Sequence, residues 1–172
     1  VQHHIVRETN GTGGLDPNDI PIIMGIMNTY YANANISFFD CGTINYIDNS
    51  SYYNFDQSQE SAVCGANDVA NVINIYYFNS VGNGSSSYCG YAYYPGGPDR
   101  VIMDNSCALN GSTLTHELGH YLSLYHTHNG STGSNPELVN GSNCTTAGDQ
   151  LCDTPADPTL SNSTVNTSCV YT

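Results

Sequence analysis

Lysine is absent from this chain of 172 residues, and Arg7 and Arg100 are its only basic residues besides histidine. Fifteen Asp and Glu residues give it a formal net charge of −13 at pH 7. A protein this acidic is repelled by the phosphates of nucleic acids and by anionic membrane surfaces. We therefore expect no nucleic-acid or membrane partner, whereas metal cations and basic peptide substrates suit the charge.

Long apolar runs are also missing, and none approaches the roughly 18–20 residues that a membrane-spanning helix needs. The N-terminus lacks the basic region, apolar core and cleavage site of a signal peptide, and VQHHIVR instead alternates like a strand. We interpret the chain as a mature segment whose targeting sequence is not included. Its length fits a single domain over 1–172, and we expect a monomer.

The seven cysteines include no CxxC pair, which disfavours a cysteine-based zinc cluster. Cysteines scattered through a chain rich in Asn and Ser are typical of disulfides in a secreted protein. We therefore expect an extracellular protein with disulfide bonds. Because the number of cysteines is odd, one of them has no partner within the chain.

Two segments show helical patterns. Residues 16–31 begin with Asp16 as an N-cap and Pro17 at the first helical position. The second helix is predicted over 112–126, with Ser112 as its cap. In the first helix, apolar residues at helical spacing predict a face that packs on a sheet, namely Ile20, Ile23, Met24, Met27 and Tyr31.

The strand patterns complete the predicted fold. Alternating or β-branched residues predict strands at 1–7, 72–78, 88–95 and 100–104, and one long strand or two short ones over 36–47. The strand at 88–95 ends in Pro-Gly-Gly-Pro and is predicted to lie at an edge. The segment 50–68 is interpreted as polar connecting chain. This order predicts an α/β fold, a twisted mixed β-sheet with two long helices and then an irregular C-terminal segment.

The stretch HELGHYLSLYH contains three histidines and a glutamate. On a helix, His116 and His120 lie four residues apart on the same face, where two imidazoles can bind one metal ion. Glu117 can then reach a metal-bound water without binding the metal itself. Zinc lowers the pKa of such a water from about 15.7 toward about 7, and the glutamate accepts the proton and passes it to the leaving amine.

A catalytic zinc site has three protein ligands and an open position, so one more ligand is needed. His126 follows His120 by six residues, which on a continuous helix places it about 120° further round. It can join the other two only if the helix ends and the chain turns back. The extended pattern H-E-x-x-H-x-x-G-x-x-H has Gly at that turn, and here the position is Ser123.

The remaining histidines fit a metal site less well. His3 and His4 lie in the first predicted strand, and we expect solvent-facing or capping roles for them. His128 is a weaker candidate than His126 because it comes two residues too late for the extended pattern.

These residues resemble those of the metzincin zinc peptidases, and more narrowly the pappalysin family, which includes ulilysin and the flavobacterial secreted metalloproteases. NVINIYYF, GYAYYPGGPDRVIM, STLTHELGHYLSLYHTH and AGDQLCDTPADP follow in the order and spacing of that family. The resemblance covers 71–158 and, more weakly, the N-terminal strand and helix. It implies an α+β metzincin-like fold and a zinc-dependent endopeptidase that hydrolyses peptide bonds of proteins.

The resemblance also implies roles for individual residues. Glu117 is the general base and acid, and the zinc ligands are His116, His120 and His126. The rim against which an extended peptide pairs is formed by Gly90, Tyr91, Ala92 and Tyr93. The candidate calcium ligands are the Asp149 carboxylate, the Cys152 carbonyl and Thr154. The alternative for Asp149 and Asp153 is a capped turn before Pro155. Disulfides hold this loop in the family, and the preferred pair here is Cys144 with Cys169.

One departure from the family is larger than Ser123. Metzincins have a methionine-containing turn beneath the zinc, downstream of the third histidine, whereas Met24, Met27 and Met103 all precede the zinc helix. We therefore expect the chain to be truncated before the methionine turn. The wall of the pocket that selects substrate side chains comes largely from the same missing part.

Two other hypotheses stay open. In gluzincin-like peptidases the third zinc ligand is a glutamate further downstream, and Glu137 lies seventeen residues after His120. The segment around Glu137 is loop-like, whereas such a ligand normally comes from a helix. Alternatively, the chain is a catalytically impaired, metal-stabilised binding domain. The missing methionine turn favours that hypothesis, and the retained Glu117 disfavours it.

Overall fold

The computed structural model describes residues 1–131, 133 and 135–157. The chain divides into two compact units, one comprising 1–123 and another that starts at Leu124. No helix of the described residues is long and apolar enough to cross a lipid bilayer. The α-helices and strands of the described residues all lie in the first unit, and they are β1 (Gln2–Arg7), α1 (Ile20–Tyr31), β2 (Asn45–Asp48), α2 (Ser50–Tyr53), β3 (Asn54–Asp56), α3 (Glu60–Val63), β4 (Asn74–Phe78), β5 (Ser80–Gly82), β6 (Ser87–Tyr88), β7 (Gly90–Ala92), β8 (Arg100–Asp104), α4 (Asn105–Ala108) and α5 (Thr113–Tyr121).

A five-stranded sheet with the strand order β2-β1-β4-β8-β7 runs through the first unit. β2, β1, β4 and β8 are parallel, and Tyr76 of β4 lies opposite both His4 and Ile102. β7 runs antiparallel to β8, with Tyr91 opposite Ile102. A smaller sheet has the order β3-β5-β6. The predicted mixed sheet with two long helices is therefore confirmed.

Each face of the large sheet packs a separate apolar cluster, because successive side chains of a strand point to opposite faces. The cluster on one face includes α1 and α5, with Met27 and Leu118 packed near Ile75. The cluster on the opposite face includes Val63 and Tyr76. All five residues of β4 are buried, as is typical of a central parallel strand covered on both sides.

Helix α1 follows the predicted pattern closely. The Asp16 carboxylate accepts a hydrogen bond from the Asn18 amide at 2.9 Å, and Pro17–Asp19 form one 3-10 turn before α1 begins. The predicted apolar face packs on the sheet, with Tyr31 partly buried and the others buried, namely Ile20, Ile23, Met24 and Met27.

Helix α5 is shorter than the predicted helix over 112–126. Ser112 lies at the N-cap position, as predicted, but its side chain makes no capping hydrogen bond. The side-chain oxygen of Asn110 instead accepts from the amides of Ser112 and Thr113 at 3.1 and 2.9 Å. Gly111, with φ of +85°, lets the chain bend so that the Asn110 side chain reaches these amides.

The chain turns where α5 ends. The amides of Leu122 and Ser123 donate to the carbonyls of Leu118 and His120, both at 2.9 Å. Ser123 has a φ of +82°, in the left-handed region that glycine adopts more readily. The predicted turn at Ser123 is confirmed, and a serine in this conformation costs about 1–3 kcal/mol of backbone strain.

Two predictions about the chain between α1 and β4 are wrong. Within 36–47 strand structure begins only at Asn45, and the segment 50–68 contains α2, β3 and α3 instead of plain connecting chain. Its apolar side chains Phe55 and Val63 are buried in the cluster opposite α5. Elements of three or four residues are too short to show a helical or strand period, so the sequence pattern did not reveal them.

Two disulfides lie within the described residues. Cys89 is bonded to Cys107 in the first unit and Cys144 to Cys152 in the second, with Cα–Cα distances of 5.4 and 5.1 Å. The predicted pairing of Cys144 with Cys169 is therefore wrong, and Cys169 itself lies outside the described residues. Consecutive turns between Cys144 and Cys152 bring these two cysteines together, which their order in the sequence does not indicate.

His3 and His4 are buried, so the prediction of solvent-facing or capping roles is wrong. The His4 ring stacks on Tyr76 with 4.1 Å between ring centroids. Its Nδ1 accepts from the Asn45 side-chain amide and its Nε2 donates to the Asn74 side-chain oxygen, both at 3.0 Å. These partners fit a neutral imidazole. Burial lowers the pKa of His4, and the hydrogen bond to Asn74 opposes this only in part.

We expect the buried His4 to make the protein less stable in acid. Because folding lowers its pKa, the unfolded chain binds this proton more readily than the folded chain. The stabilising contribution is present above the ordinary histidine pKa of 6.5 and is lost as the pH falls below it. One proton changes the free energy of unfolding by at most about 1.4 kcal/mol per pH unit.

Chemical unfolding of the unaltered chain and of His4→Phe between pH 5 and 8 measures this effect. The phenylalanine ring can still stack on Tyr76 but has no proton to exchange. The free energy of unfolding should therefore vary less with pH in His4→Phe than in the unaltered chain. An identical pH dependence in the two proteins contradicts the prediction.

Candidate metal centre

Two histidine side chains extend from the same face of α5. The Nε2 atoms of His116 and His120 are 3.1 Å apart, and their ring centroids are 4.6 Å apart. Two nitrogens bound to one tetrahedral zinc ion at about 2.0–2.1 Å lie about 3.3 Å from each other. The pair therefore has the donor chemistry and the spacing of two ligands to one zinc ion.

Glu117 follows His116 directly but points toward the sheet, where its side chain is buried. Its Cγ lies 3.5 Å from the place that a Cβ on Gly90 would occupy. Burial raises the pKa of the Glu117 carboxyl, whereas the charge of His120 and a backbone hydrogen bond from Ala92 lower it. The carboxyl is thus held against β7 and beside the histidine pair, where it can take or give a proton.

β7 forms one edge of the five-stranded sheet. Gly90, Tyr91 and Ala92 pair with β8, and no strand of the described residues pairs with the other side of β7. A Cβ on Gly90 would lie 2.7 Å from the Ile102 carbonyl, so the close approach to β8 requires glycine. Tyr93 follows directly after the strand. The predicted edge position is confirmed, and the four predicted rim residues are consecutive along it.

A carboxylate that the sequence analysis missed contacts the same strand from its other face. Glu60 of α3 accepts hydrogen bonds from the hydroxyls of Tyr91 and Tyr93. Glu60 belongs to the segment interpreted as connecting chain, about thirty residues before β7, and no motif or spacing links the two. Only the folded arrangement reveals the contact.

His126 lies in the second unit, three residues after Ser123. Its ring stacks on that of His128, with 4.9 Å between centroids and an interplanar angle of 11°. Its carbonyl accepts a hydrogen bond from the Asn129 amide at 2.9 Å. Two stacked imidazoles, those of His126 and His128, thus lie within five residues after the turn at Ser123.

The candidate calcium residues also belong to the second unit. The buried Asp149 carboxylate accepts hydrogen bonds from the Leu151 amide at 2.9 Å and from the Thr154 hydroxyl at 2.7 Å. Cys152 is bonded to Cys144. These contacts are those of a capped turn, the alternative that the sequence left open, and calcium binding at these residues stays a prediction.

Glu137, the alternative third zinc ligand, lies in an irregular segment, as the sequence indicated. Its carboxyl contacts the backbone of Gly148, and its Oε2 is buried without a hydrogen-bond partner. It lines a cavity of about 260 Å³ within the second unit, together with Asn129 and Asp157. No helix presents this carboxylate, in contrast to the arrangement that the gluzincin-like hypothesis requires.

Several proteins named extracellular metalloprotease are similar to this chain. An extracellular metalloprotease of Podospora anserina is 28% identical over 92% of the chain and 55% of that protein. One of Verticillium alfalfae is 25% identical over 88% of the chain and 55% of that protein. One of Colletotrichum graminicola is 32% identical over 49% of the chain and 30% of that protein. The chain therefore spans about half the length of the relatives that it matches over most of its residues.

The metalloproteinase-II of Bacteroides fragilis is a solved structure with a weak likeness to this fold. Its TM-score is 0.42 and its identity 16%, with 94% of this chain and 50% of that chain covered, which is too weak to carry an argument. The family profile of peptidase M43, described as pregnancy-associated plasma protein-A, matches residues 56–171. Since this match covers well over half of the chain and includes both α5 and β7, the chain belongs to the peptidase M43 family.

Proposed function

We propose that this chain is the catalytic part of a secreted zinc endopeptidase that hydrolyses peptide bonds of proteins. The observation that carries the proposal is the pair of imidazole nitrogens of His116 and His120, 3.1 Å apart, beside the buried Glu117. Membership of a peptidase family and the metalloprotease names of the relatives support a metal-dependent hydrolase. The strongly negative net charge also favours a bound cation.

His126 is the third zinc ligand in this proposal. Three imidazoles leave one position of a tetrahedral ion open for water, as catalytic zinc sites require. The left-handed conformation of Ser123 supports the assignment, because α5 ends before a continuous helix would carry His126 to a different face.

A zinc ion held by His116, His120 and His126 would lower the pKa of a water toward about 7 and would polarise the substrate carbonyl. Glu117 would accept the proton of the attacking water and donate it to the leaving amine as the C–N bond breaks. Its packing against Gly90 and the hydrogen bond from Ala92 hold the carboxyl beside β7. The carboxyl that transfers the proton therefore lies beside β7, the strand with which the substrate is proposed to pair.

The substrate is proposed to be an extended peptide that pairs with the free edge of β7. The rim residues are Gly90, Tyr91, Ala92 and Tyr93. Main-chain pairing binds a peptide without selecting particular side chains. The side of β7 that no described strand occupies supports this path. Because the chain is acidic, basic peptides are expected to bind better than acidic ones.

We further propose that the protein acts outside the cell. Its two disulfides fit an oxidising compartment, and its relatives are named extracellular metalloproteases. Four further expectations stay predictions. They are a closer relation to ulilysin, a monomeric state, a single domain truncated before the methionine turn, and calcium binding at Asp149, Cys152 and Thr154.

Replacing Glu117 with Gln should abolish hydrolysis and leave zinc binding intact. The amide has nearly the same shape but cannot accept the proton, and general acid–base catalysis contributes about 10²–10⁴-fold to the rate. The measurements are the zinc content of the purified chain and its cleavage of a denatured protein. Glu8→Gln is the control, because Glu8 lies after β1 and outside the proposed site.

Full activity in Glu117→Gln, or hydrolysis by the unaltered chain that resists a zinc chelator, contradicts the proposed mechanism. If the unaltered chain binds zinc but cleaves nothing, a version extended beyond Thr172 separates two explanations. Activity in the longer protein means that this chain lacks part of the site. Inactivity in both supports the metal-stabilised binding domain.

Replacing Ser123 with Val should weaken zinc binding. A β-branched residue is disfavoured at positive φ more strongly than serine. If the turn must form before zinc binds, each additional 1.4 kcal/mol or so of strain lowers the affinity about tenfold. Ser123→Gly removes the strain and should bind zinc at least as tightly as the unaltered chain. Competition with a chromophoric chelator measures both affinities.

Ser61→Val is the matched control for this experiment, since Ser61 is an exposed helical residue with ordinary φ. It should leave zinc affinity unchanged. Equal affinities of Ser123→Val and Ser61→Val mean that the turn at Ser123 does not matter for the metal.

Comparing His126→Ala with Glu137→Ala distinguishes the two third ligands. Removing one of three ligands should lower zinc affinity by several orders of magnitude, while removing a residue outside the ligand set changes it little. We expect the loss in His126→Ala. Loss of zinc in Glu137→Ala, with zinc retained in His126→Ala, supports the gluzincin-like arrangement instead.

A further inference from the structure

A buried polar cluster lies on the face of the sheet opposite α5, and the proposed hydrolysis makes no direct use of it. Its centre is Glu60 of α3, 6% exposed, and Arg100 at the start of β8, 8% exposed. Hydroxyl groups of three tyrosines complete it. We name it the Glu60 cluster, and its members are Glu60, Asp68, Tyr76, Tyr91, Tyr93 and Arg100.

Arg100 fixes the carboxylate of Glu60. Its Nη1 donates to Glu60 Oε1 at 2.9 Å, and its Nη2 donates to a carboxylate oxygen of Asp68. Burial lowers the pKa of Arg100, but the charge of Asp68 and the hydrogen bonds to both carboxylates raise it overall. Because separating buried opposite charges leaves each unpaired, Glu60 has little freedom to move.

The other oxygen of Glu60 is bound to the edge strand. Oε2 accepts from the Tyr91 hydroxyl at 2.5 Å and from the Tyr93 hydroxyl at 2.8 Å. These tyrosines are two residues apart and so lie on one face of the extended chain. Burial and then the bond to Glu60 raise the pKa of both, that of Tyr93 to about 12, so both hydroxyls keep their protons at neutral pH.

β7 is a short edge strand that packs against α5 on one face of the sheet. The strand has three residues, pairs with β8 on one side, and leads into the Pro-Gly-Gly-Pro loop at 95–98. The disulfide between Cys89 and Cys107 anchors its start. The bonds from Tyr91 and Tyr93 to Glu60 anchor its remainder. On the opposite face Gly90 adjoins Glu117, so a displacement of β7 changes its distance from the catalytic carboxyl.

We propose that Glu60 is a positioning residue for the substrate, which holds β7 through the hydroxyls of Tyr91 and Tyr93 so that a peptide paired with β7 lies beside Glu117. This inference rests on the proposed function and names what fixes the substrate-binding strand. Glu60 itself touches neither the substrate nor the metal ligands. Its effect is expected on substrate binding more than on the chemical step, because it acts on the strand that pairs with the peptide.

The test compares variants of the zinc-loaded chain with a fluorogenic octapeptide as substrate. Glu60→Gln removes the charge that strengthens the three hydrogen bonds accepted by this carboxylate, and it leaves one oxygen in place of two to accept them. The double variant Tyr91→Phe and Tyr93→Phe removes both donors and keeps the ion pair between Arg100 and Glu60. In both cases we expect KM to rise about tenfold with kcat nearly unchanged, the result of losing binding that substrate and transition state share.

Asp68→Asn is the matched control. It removes the other carboxylate partner of Arg100 within the same cluster but leaves the hydroxyls of Tyr91 and Tyr93 bound to Glu60. Its overall stability is expected to fall, while KM should stay within about twofold of the unaltered chain. A general structural role of the cluster would raise KM in all three variants.

Amide hydrogen exchange of residues 89–94 gives a readout that does not depend on hydrolysis. Exchange should accelerate in Glu60→Gln and in the double Phe variant but not in Asp68→Asn, because a loosened edge strand opens more often. If the unaltered chain cleaves no peptide, this measurement still shows whether Glu60 holds β7 in place. If Glu60→Gln does not fold, the double Phe variant supplies both measurements.

Three outcomes overturn the proposal. If the chain is active, an unchanged KM in Glu60→Gln and in the double Phe variant overturns it. If the chain is inactive, unchanged hydrogen exchange over 89–94 in these two variants overturns it. In either chain, the same change in Asp68→Asn as in Glu60→Gln shows that the cluster merely stabilises the fold.

Discussion

Burial of Leu114 and Leu118 against the sheet sets the rotation of α5 about its own axis, and the candidate metal centre depends on that rotation. At about 100° per residue, holding these two leucines inward places His116 and His120 on the opposite side of the helix. Glu117 then faces sideways, toward β7. Burying two leucine side chains contributes about 3–6 kcal/mol, far more than the few tenths by which neighbouring surface side chains on a helix influence one another.

The edge strand β7 connects the two chemical features of the first unit. Its two faces meet different surroundings, since Gly90 and Ala92 adjoin Glu117 while Tyr91 and Tyr93 reach Glu60. As an edge strand, β7 has a pairing partner on one side only among the described residues. Contacts on both faces give this strand a defined position and leave its hydrogen-bonding edge open, which is the combination that pairing with a peptide requires.

Sequence patterns predicted those parts of the fold that depend on local periodicity. Helix α1 was predicted from apolar residues at helical spacing, and β4 and β8 from short runs rich in β-branched and other apolar residues. The spacing of His116 and His120 came from helix geometry alone. The burial of His4 was not predictable in this way, because it depends on Asn45 and Asn74, which lie far away in the sequence. The same holds for the contacts of Glu60.

At Ser123 the expectation from the sequence pattern can be compared directly with the backbone conformation in the structure. The extended zinc-peptidase pattern indicated that the chain must turn there, although the residue type disfavoured it. The structure has the left-handed backbone at that position, so the surrounding chain compensates for the strain. The disulfide of Cys144 with Cys152 gives the opposite lesson, because cysteine order alone does not determine pairing.

The scarcity of basic residues affects how easily proteases can cleave this chain. Enzymes that cleave after lysine or arginine need an accessible, locally extended chain, and here only two residues satisfy their specificity. Arg100 is buried in an ion pair at the start of β8, and Arg7 is the last residue of β1 and is bonded to Asp48. The folded first unit therefore offers trypsin-like enzymes no easy point of attack.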